Sequence, residues 1–116
     1  MNIPRADEKS KEHFRSLLPD DPHITIRPMF GNISAFVNGN MFAGLFGNDV
    51  FVKLSEENRQ ELLKEKGASY LEPMKGKPMK DYVVIPRALQ AKPEIIRVWL
   101  SRSLNFASKL PPKQKK

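Results

Sequence analysis

Few residues in this sequence have the types and spacing that chemistry requires: two histidines, an aspartate pair, a lysine-rich loop and the run Arg27-Pro28-Met29-Phe30-Gly31. Neither His13 nor His23 has a second histidine or an acid at the spacing that marks a zinc helix, so both are read as core-edge or surface residues. Asp20 and Asp21 sit in a turn beside Pro22, where aspartate side chains bond the local backbone rather than pair for acid–base work. No Gly-x-Ser-x-Gly elbow exposes a serine. Gly76-Lys77 is followed by Pro78 and lacks both the earlier glycine and the hydroxyl residue of a phosphate-binding loop. The sequence contains no cysteine, which removes disulfides, thiolate metal sites and thiol catalysis together. These residues predict a protein that is not an enzyme and uses no metal or cofactor.

Binding is the chemistry left. Lys75, Lys77 and Lys80 fall within six residues of a loop turned by Gly76 and Pro78, a candidate contact for an anion or nucleic acid. The plainer alternative is that Met74 and Met79 anchor the loop while its lysines stay solvated. Arg27, Met29 and Phe30 form a candidate partner-binding segment, since methionine and phenylalanine supply adaptable apolar contact. Their alternative is to close the open end of a sheet, with Gly31 taking the turn. Phe36, Phe42, Phe46 and Phe51 invite comparison with base-stacking sheets. No basic residue but Lys53 interleaves them and the usual RNA-binding signature is missing, so core or dimer packing is expected.

The elements that must position these residues follow from hydropathy and turn signals. At 116 residues the chain is expected to form a single domain over 1–110 with a basic tail at 111–116. The formal charge is +7; Lys113, Lys115 and Lys116 supply three of it, leaving a body of only +4. No apolar run approaches the roughly 18 residues of a membrane span and the start has no signal-peptide core, so a cytoplasmic protein is expected. A helix over 5–18 presents His13, Phe14, Leu17 and Leu18 as an apolar stripe. Residues 24–27 read as an extended lead-in, and Pro28 argues against a central strand. Two hairpins follow, with strands near 32–38, 41–47 and 50–54. Asn38-Gly39 is a strong two-residue turn signal, and Gly47-Asn48-Asp49 is a second.

Alternation places Ile33, Ala35 and Val37 on one face, and Met41, Ala43 and Leu45 opposite Phe42, Gly44 and Phe46. Both faces are apolar, whereas a sheet with one wet face alternates. A second cover is therefore expected: a helix, the lead-in segment or another copy of the chain. Ser55 caps a second helix that ends at Gly67. Strands are expected at 68–72 and 81–85 around a loop at 73–80. A last helix begins near Lys92, with Pro93 in its first turn, and buries Ile95, Ile96, Trp99, Phe106 and Leu110. The sum is an α+β domain, an antiparallel sheet with helices packed on it.

The strings Met29-Phe30-Gly31, Phe36-Val37-Asn38-Gly39-Asn40-Met41-Phe42-Ala43-Gly44, Glu72-Pro73-Met74 and Gly76-Lys77-Pro78-Met79 resemble the TfoX N-terminal domain family, named after the TfoX/Sxy regulators of bacterial competence. Tyr82-Val83-Val84-Ile85-Pro86, Trp99-Leu100 and Leu110-Pro111-Pro112-Lys113 extend the resemblance over residues 12–113. It implies the order α-β(3)-α-β(2)-α, a fold like that of type III secretion chaperones, with no enzymatic activity and no cofactor. The full regulators add a C-terminal helical domain, so a stand-alone version is expected here. The expected function is that of a regulatory protein-interaction domain tied to transcription, with an unidentified protein partner and a homodimer through the sheet. A nucleic-acid-binding module using the lysine loop and tail is the alternative.

Overall fold

The computed structural model describes residues 5–29, 32–74 and 76–112, with the backbone alone at Met29, Pro73 and Met74. Helix α1 spans Glu8–Leu17. Asp7 caps it by accepting from the Ser10 N–H at 2.7 Å, and Glu8 adds a favourable charge to the first turn. The helix stops where Leu18 turns extended ahead of Pro19. Phe14 and Leu17, three residues apart, are its buried pair, and Leu18 is half-buried. His13, expected in that stripe, is exposed. The helix meets the core along a narrow line through Phe14 and Leu17, and an imidazole beside that line keeps its hydration.

The sheet is built from β1 (Ile24–Met29), β2 (Asn32–Val37), β3 (Asn40–Phe46) and β4 (Asp49–Lys53), then, after α2 (Glu56–Leu63), β5 (Ser69–Met74) and β6 (Lys77–Val84). Two helices close the chain, α3 (Arg87–Gln90) and α4 (Pro93–Ser108). All six strands join one antiparallel sheet in the order β1-β2-β3-β4-β6-β5. The α+β class and the order of elements agree with the sequence, with two additions and one correction. The lead-in is a full edge strand, and its edge position is what allows Pro28 to lack an N–H. The four-residue α3 is a new element. The expected loop at 73–80 is instead a hairpin: β5 runs to Met74, β6 starts at Lys77, and Gly76 takes φ 82° at the tip. The Glu72 carboxylate accepts from the Gly76 N–H at 2.8 Å and holds that tip.

Turn chemistry sets the two leading hairpins. Asn38 (φ 52°) and Gly39 (φ 79°) are both left-handed, as a type I′ turn demands, while Gly47 (φ 64°) opens the tight turn from β3 to β4. The helices lie together on one face. There α4 crosses β2, β3 and β4, α2 packs on β6, and α1 packs on β3 and α4. Phe14, Val37, Leu45, Val52, Leu62, Val83, Ile96 and Leu100 share the core they enclose.

A β-bulge reorders the faces of β3. Ala35 pairs with Ala43 but Phe36 pairs with Met41, leaving Phe42 as the extra residue. Phe42 and Ala43 thus both enter the helix-side core, fully buried, and Met41 turns to the opposite face. Strict alternation placed Met41 with Ala43, and the bulge inverts that assignment. The β3–β4 ladder stops at Ala43↔Val52. In place of the next rung stands Ser103 of α4, whose hydroxyl accepts from the Lys53 N–H at 3.2 Å and donates to the Phe42 carbonyl.

Asn32 is a second buried polar residue with a structural task. Its Oδ1 accepts from the Ala6 N–H at 2.8 Å and from the Gly47 N–H at 3.1 Å. One side chain thus ties the segment before α1 and the β3–β4 turn to the start of β2.

Candidate functional site

The second face of the sheet carries no helix among the described residues, so the expectation of a covering helix is not met. Its centre is buried by its own side chains. Phe51 of β4, Leu71 of β5 and Tyr82 of β6 are 4%, 3% and 7% exposed, packed with Met41, Phe46 and Val84. The Phe51 and Tyr82 rings meet edge to face, 5.6 Å between centroids. Tyr82 reaches over β4 to donate its hydroxyl to the Met41 carbonyl on β3 at 3.0 Å. Phe51 needs Gly44 beneath it: a Cβ there would sit 2.7 Å from the Phe51 ring and 2.8 Å from the Ser34 hydroxyl.

Two cations of this face lie on aromatic rings, one beside the cluster and one within it. The Arg27 guanidinium of β1 lies 5.0 Å over the Phe36 ring, and the Lys53 ammonium of β4 lies 5.3 Å over the Tyr82 ring. Because Phe36 pairs with Met41, Lys53 pairs with Tyr82, and Tyr82 bonds across β4 to Met41, these residues form one strip across the sheet: Arg27, Phe36, Met41, Lys53, Tyr82.

Burial, followed by the nearby Asp81 charge, pushes the Tyr82 hydroxyl up from 10.0 to about 12. The folded state holds this proton more tightly, so the stability it contributes is present below pH 10 and is lost as the pH rises towards 12. A Tyr70→Phe variant leaves Tyr82 as the only tyrosine of the original two. Its ultraviolet titration is expected to reach half-ionisation near pH 12; a midpoint at pH 10 would place the hydroxyl in water.

Of the sequence-predicted partner segment, Arg27 therefore takes part in this strip. The backbone of Met29 ends β1, and its side chain and Phe30 lie outside the described residues. In the lysine group, Lys77 and Lys80 are exposed on β6, while Lys75 and the tail at 113–116 lie outside the described residues. Phe36 and Lys53 were legible as a sheet aromatic and a lone interleaved cation. Tyr82 carried no sequence signal, because its role depends on crossing β4.

His23 belongs to a local turn: its backbone N–H donates to Asp21 Oδ1 at 2.8 Å, and its ring nitrogen lies 3.0 Å from the same oxygen. Those contacts, the backbone one first, lower the Asp21 carboxyl below its ordinary value. No group of three or more metal-binding side chains occurs among the described residues. An open groove of about 410 Å³ is lined by Asp49, Lys66, Ser69, Val84 and Arg87. Its carboxylate is already taken: Asp49 accepts from Arg87 Nε at 3.1 Å and Gln90 Nε2 at 3.4 Å. Among the described residues no helix is long and apolar enough to cross a membrane.

No curated protein matches the chain. The profile of the TfoX N-terminal domain matches residues 6–107, a span that runs from the Ala6 contact with Asn32 to the last buried residue of α4. With most of its 116 residues inside that match, and every strand and helix but for the last residue of α4, the chain belongs to the TfoX N-terminal domain family.

Proposed function

We propose that this domain is a non-enzymatic regulatory module, acting in the cytoplasm through protein contacts and tied to transcription in the manner of the TfoX/Sxy competence regulators. The observation that supports it is the helix-free sheet face, where half-buried Phe36, Met41 and Phe46 border a buried aromatic cluster. Apolar side chains grouped this way on an uncovered face suit a protein partner. Affinity capture with the full chain from its native cell, with and without nuclease, tests the reading. A protein retained after nuclease is expected; material lost on nuclease treatment would overturn it.

One observation favours a second reading. Lys77 and Lys80 are exposed on the β5–β6 hairpin and make no ion pair with a described residue. A nucleic-acid-binding module built on them predicts affinity that falls steeply with salt and drops on Lys77→Ala or Lys80→Ala. Absence of binding to DNA or RNA at low salt ends that alternative.

A further inference from the structure

Lys11, Arg59, Arg87 and Arg102 each have a carboxylate within 3.5 Å, supplied by Glu8, Asp81, Asp49 and Glu61. Arg27 and Lys53, like Lys9, Arg15, Arg97 and Lys109, have none among the described residues; unlike those four, each lies on an aromatic ring, a contact that Arg102 also makes over Trp99. A guanidinium resting on a ring keeps its edge donors available, and partial desolvation strengthens any carboxylate bond it then makes. Between the two cations lie the half-buried Phe36 and Met41.

We propose that this strip binds an acidic, hydrophobic segment of a partner protein, with carboxylates on Arg27 and Lys53 and an apolar side chain between them against Met41 and the rim of Phe36. The proposal rests on the protein-contact reading above and names its surface and partner chemistry. From β1 to β4 is three strand intervals, and the register sets Arg27 level with Phe51, two residues from Lys53, so their Cα atoms are roughly 16 Å apart, a span that long cationic and carboxylate side chains can adjust to the peptide. In an extended peptide, residues i and i+4 point the same way and are about 13 Å apart, with residue i+2 between them on the same side. The segment sought is therefore acid-x-apolar-x-acid, laid across the strands rather than added to an edge.

Two other occupants fit less well. Stacked bases need open ring faces, but Arg27 covers Phe36, and Tyr82 is both buried and capped by Lys53. A two-fold dimer through this face would bring Arg27 and Lys53 towards the same cations of the second copy.

The test uses the full chain and three synthetic peptides: one centred on Glu-Thr-Leu-Thr-Glu, one on Lys-Thr-Leu-Thr-Lys, and one on Glu-Thr-Ser-Thr-Glu. The first is expected to bind and to shift the NMR signals of Phe36 and Met41. Its affinity is expected to fall about tenfold or more in an Arg27→Glu/Lys53→Glu variant, in keeping with loss of two charge contacts, and to hold in Lys77→Glu/Lys80→Glu. Circular dichroism shows that both variants are folded. Should the double reversal not fold, Arg27→Gln alone carries the test, with a several-fold loss expected. Equal binding of the lysine peptide, equal binding of the leucine-free peptide, no shift at Phe36 and Met41, tighter binding of a single-stranded oligonucleotide to the same residues, or a dimer through this face by light scattering would each overturn the proposal. A captured protein whose footprint lies elsewhere overturns it too, while leaving the protein-contact reading intact.

Discussion

Replacing Ser103 with alanine is expected to lower stability by about 2–4 kcal/mol and the melting temperature by roughly 10–20 °C, although only one oxygen is removed. That oxygen completes the β3–β4 ladder at the bulge, bonding both the Lys53 N–H and the Phe42 carbonyl from a fully buried position. The bulge leaves these backbone groups without strand partners, and buried groups left unpaired lose their hydration with nothing in return. The cavity term is small by comparison, because serine and alanine differ by one atom. Urea unfolding followed by circular dichroism gives the value, and its slope is expected to be unchanged. A loss below about 0.5 kcal/mol would mean that the two backbone groups find other partners.

The second large effect is at Gly44, where the outcome is decided by competing magnitudes. Glycine within a strand ordinarily costs about 0.5–1 kcal/mol relative to alanine, so Gly44→Ala in open space would stabilise the protein. Here the added Cβ would lie 2.7 Å from the Phe51 ring and 2.8 Å from the Ser34 hydroxyl, so one of them must shift. Phe51 is 4% exposed and braced by Tyr82, and overpacking at such a site costs about 1–3 kcal/mol or more. A net loss of about 1–2 kcal/mol is expected. Gly44→Ala combined with Phe51→Leu is expected to lose less than the sum of the two single changes, because the shorter side chain vacates the clash. Additive losses in that cycle would show that the ring is not what excludes a Cβ.

Much of this architecture was legible in local residue order. Asn38-Gly39 announced its turn because positive φ at two successive positions admits few residue types. Ser55 announced α2, accepting from the Asn58 N–H at 3.3 Å, and Pro93 announced the first turn of α4. The hairpin at 73–80 was not legible, since its lysines, glycine and proline read as a loop and only pairing along β5 and β6 makes it a strand. The partner segment was half legible: Arg27 lies on the helix-free face, but the sequence joined it to Met29 and Phe30, its chain neighbours, and not to Phe36.

By itself the sequence determined the α+β class, the antiparallel meander, the family and the apolar character of both sheet faces. These depend on turn dihedrals, caps and period-two patterning, which act between residues close in the chain. Tertiary structure alone decided which residues occupy each face of β3, that the described helices all leave the second face open, and which rings Arg27 and Lys53 lie on. A single extra residue at Phe42 inverts the alternation beyond it, and Ser103, sixty-one positions away, makes that inversion tolerable. Tyr82 meets Met41 only because the sheet brings β6 beside β4. Contacts of this kind are set by strand order and register, which no local pattern of residues encodes.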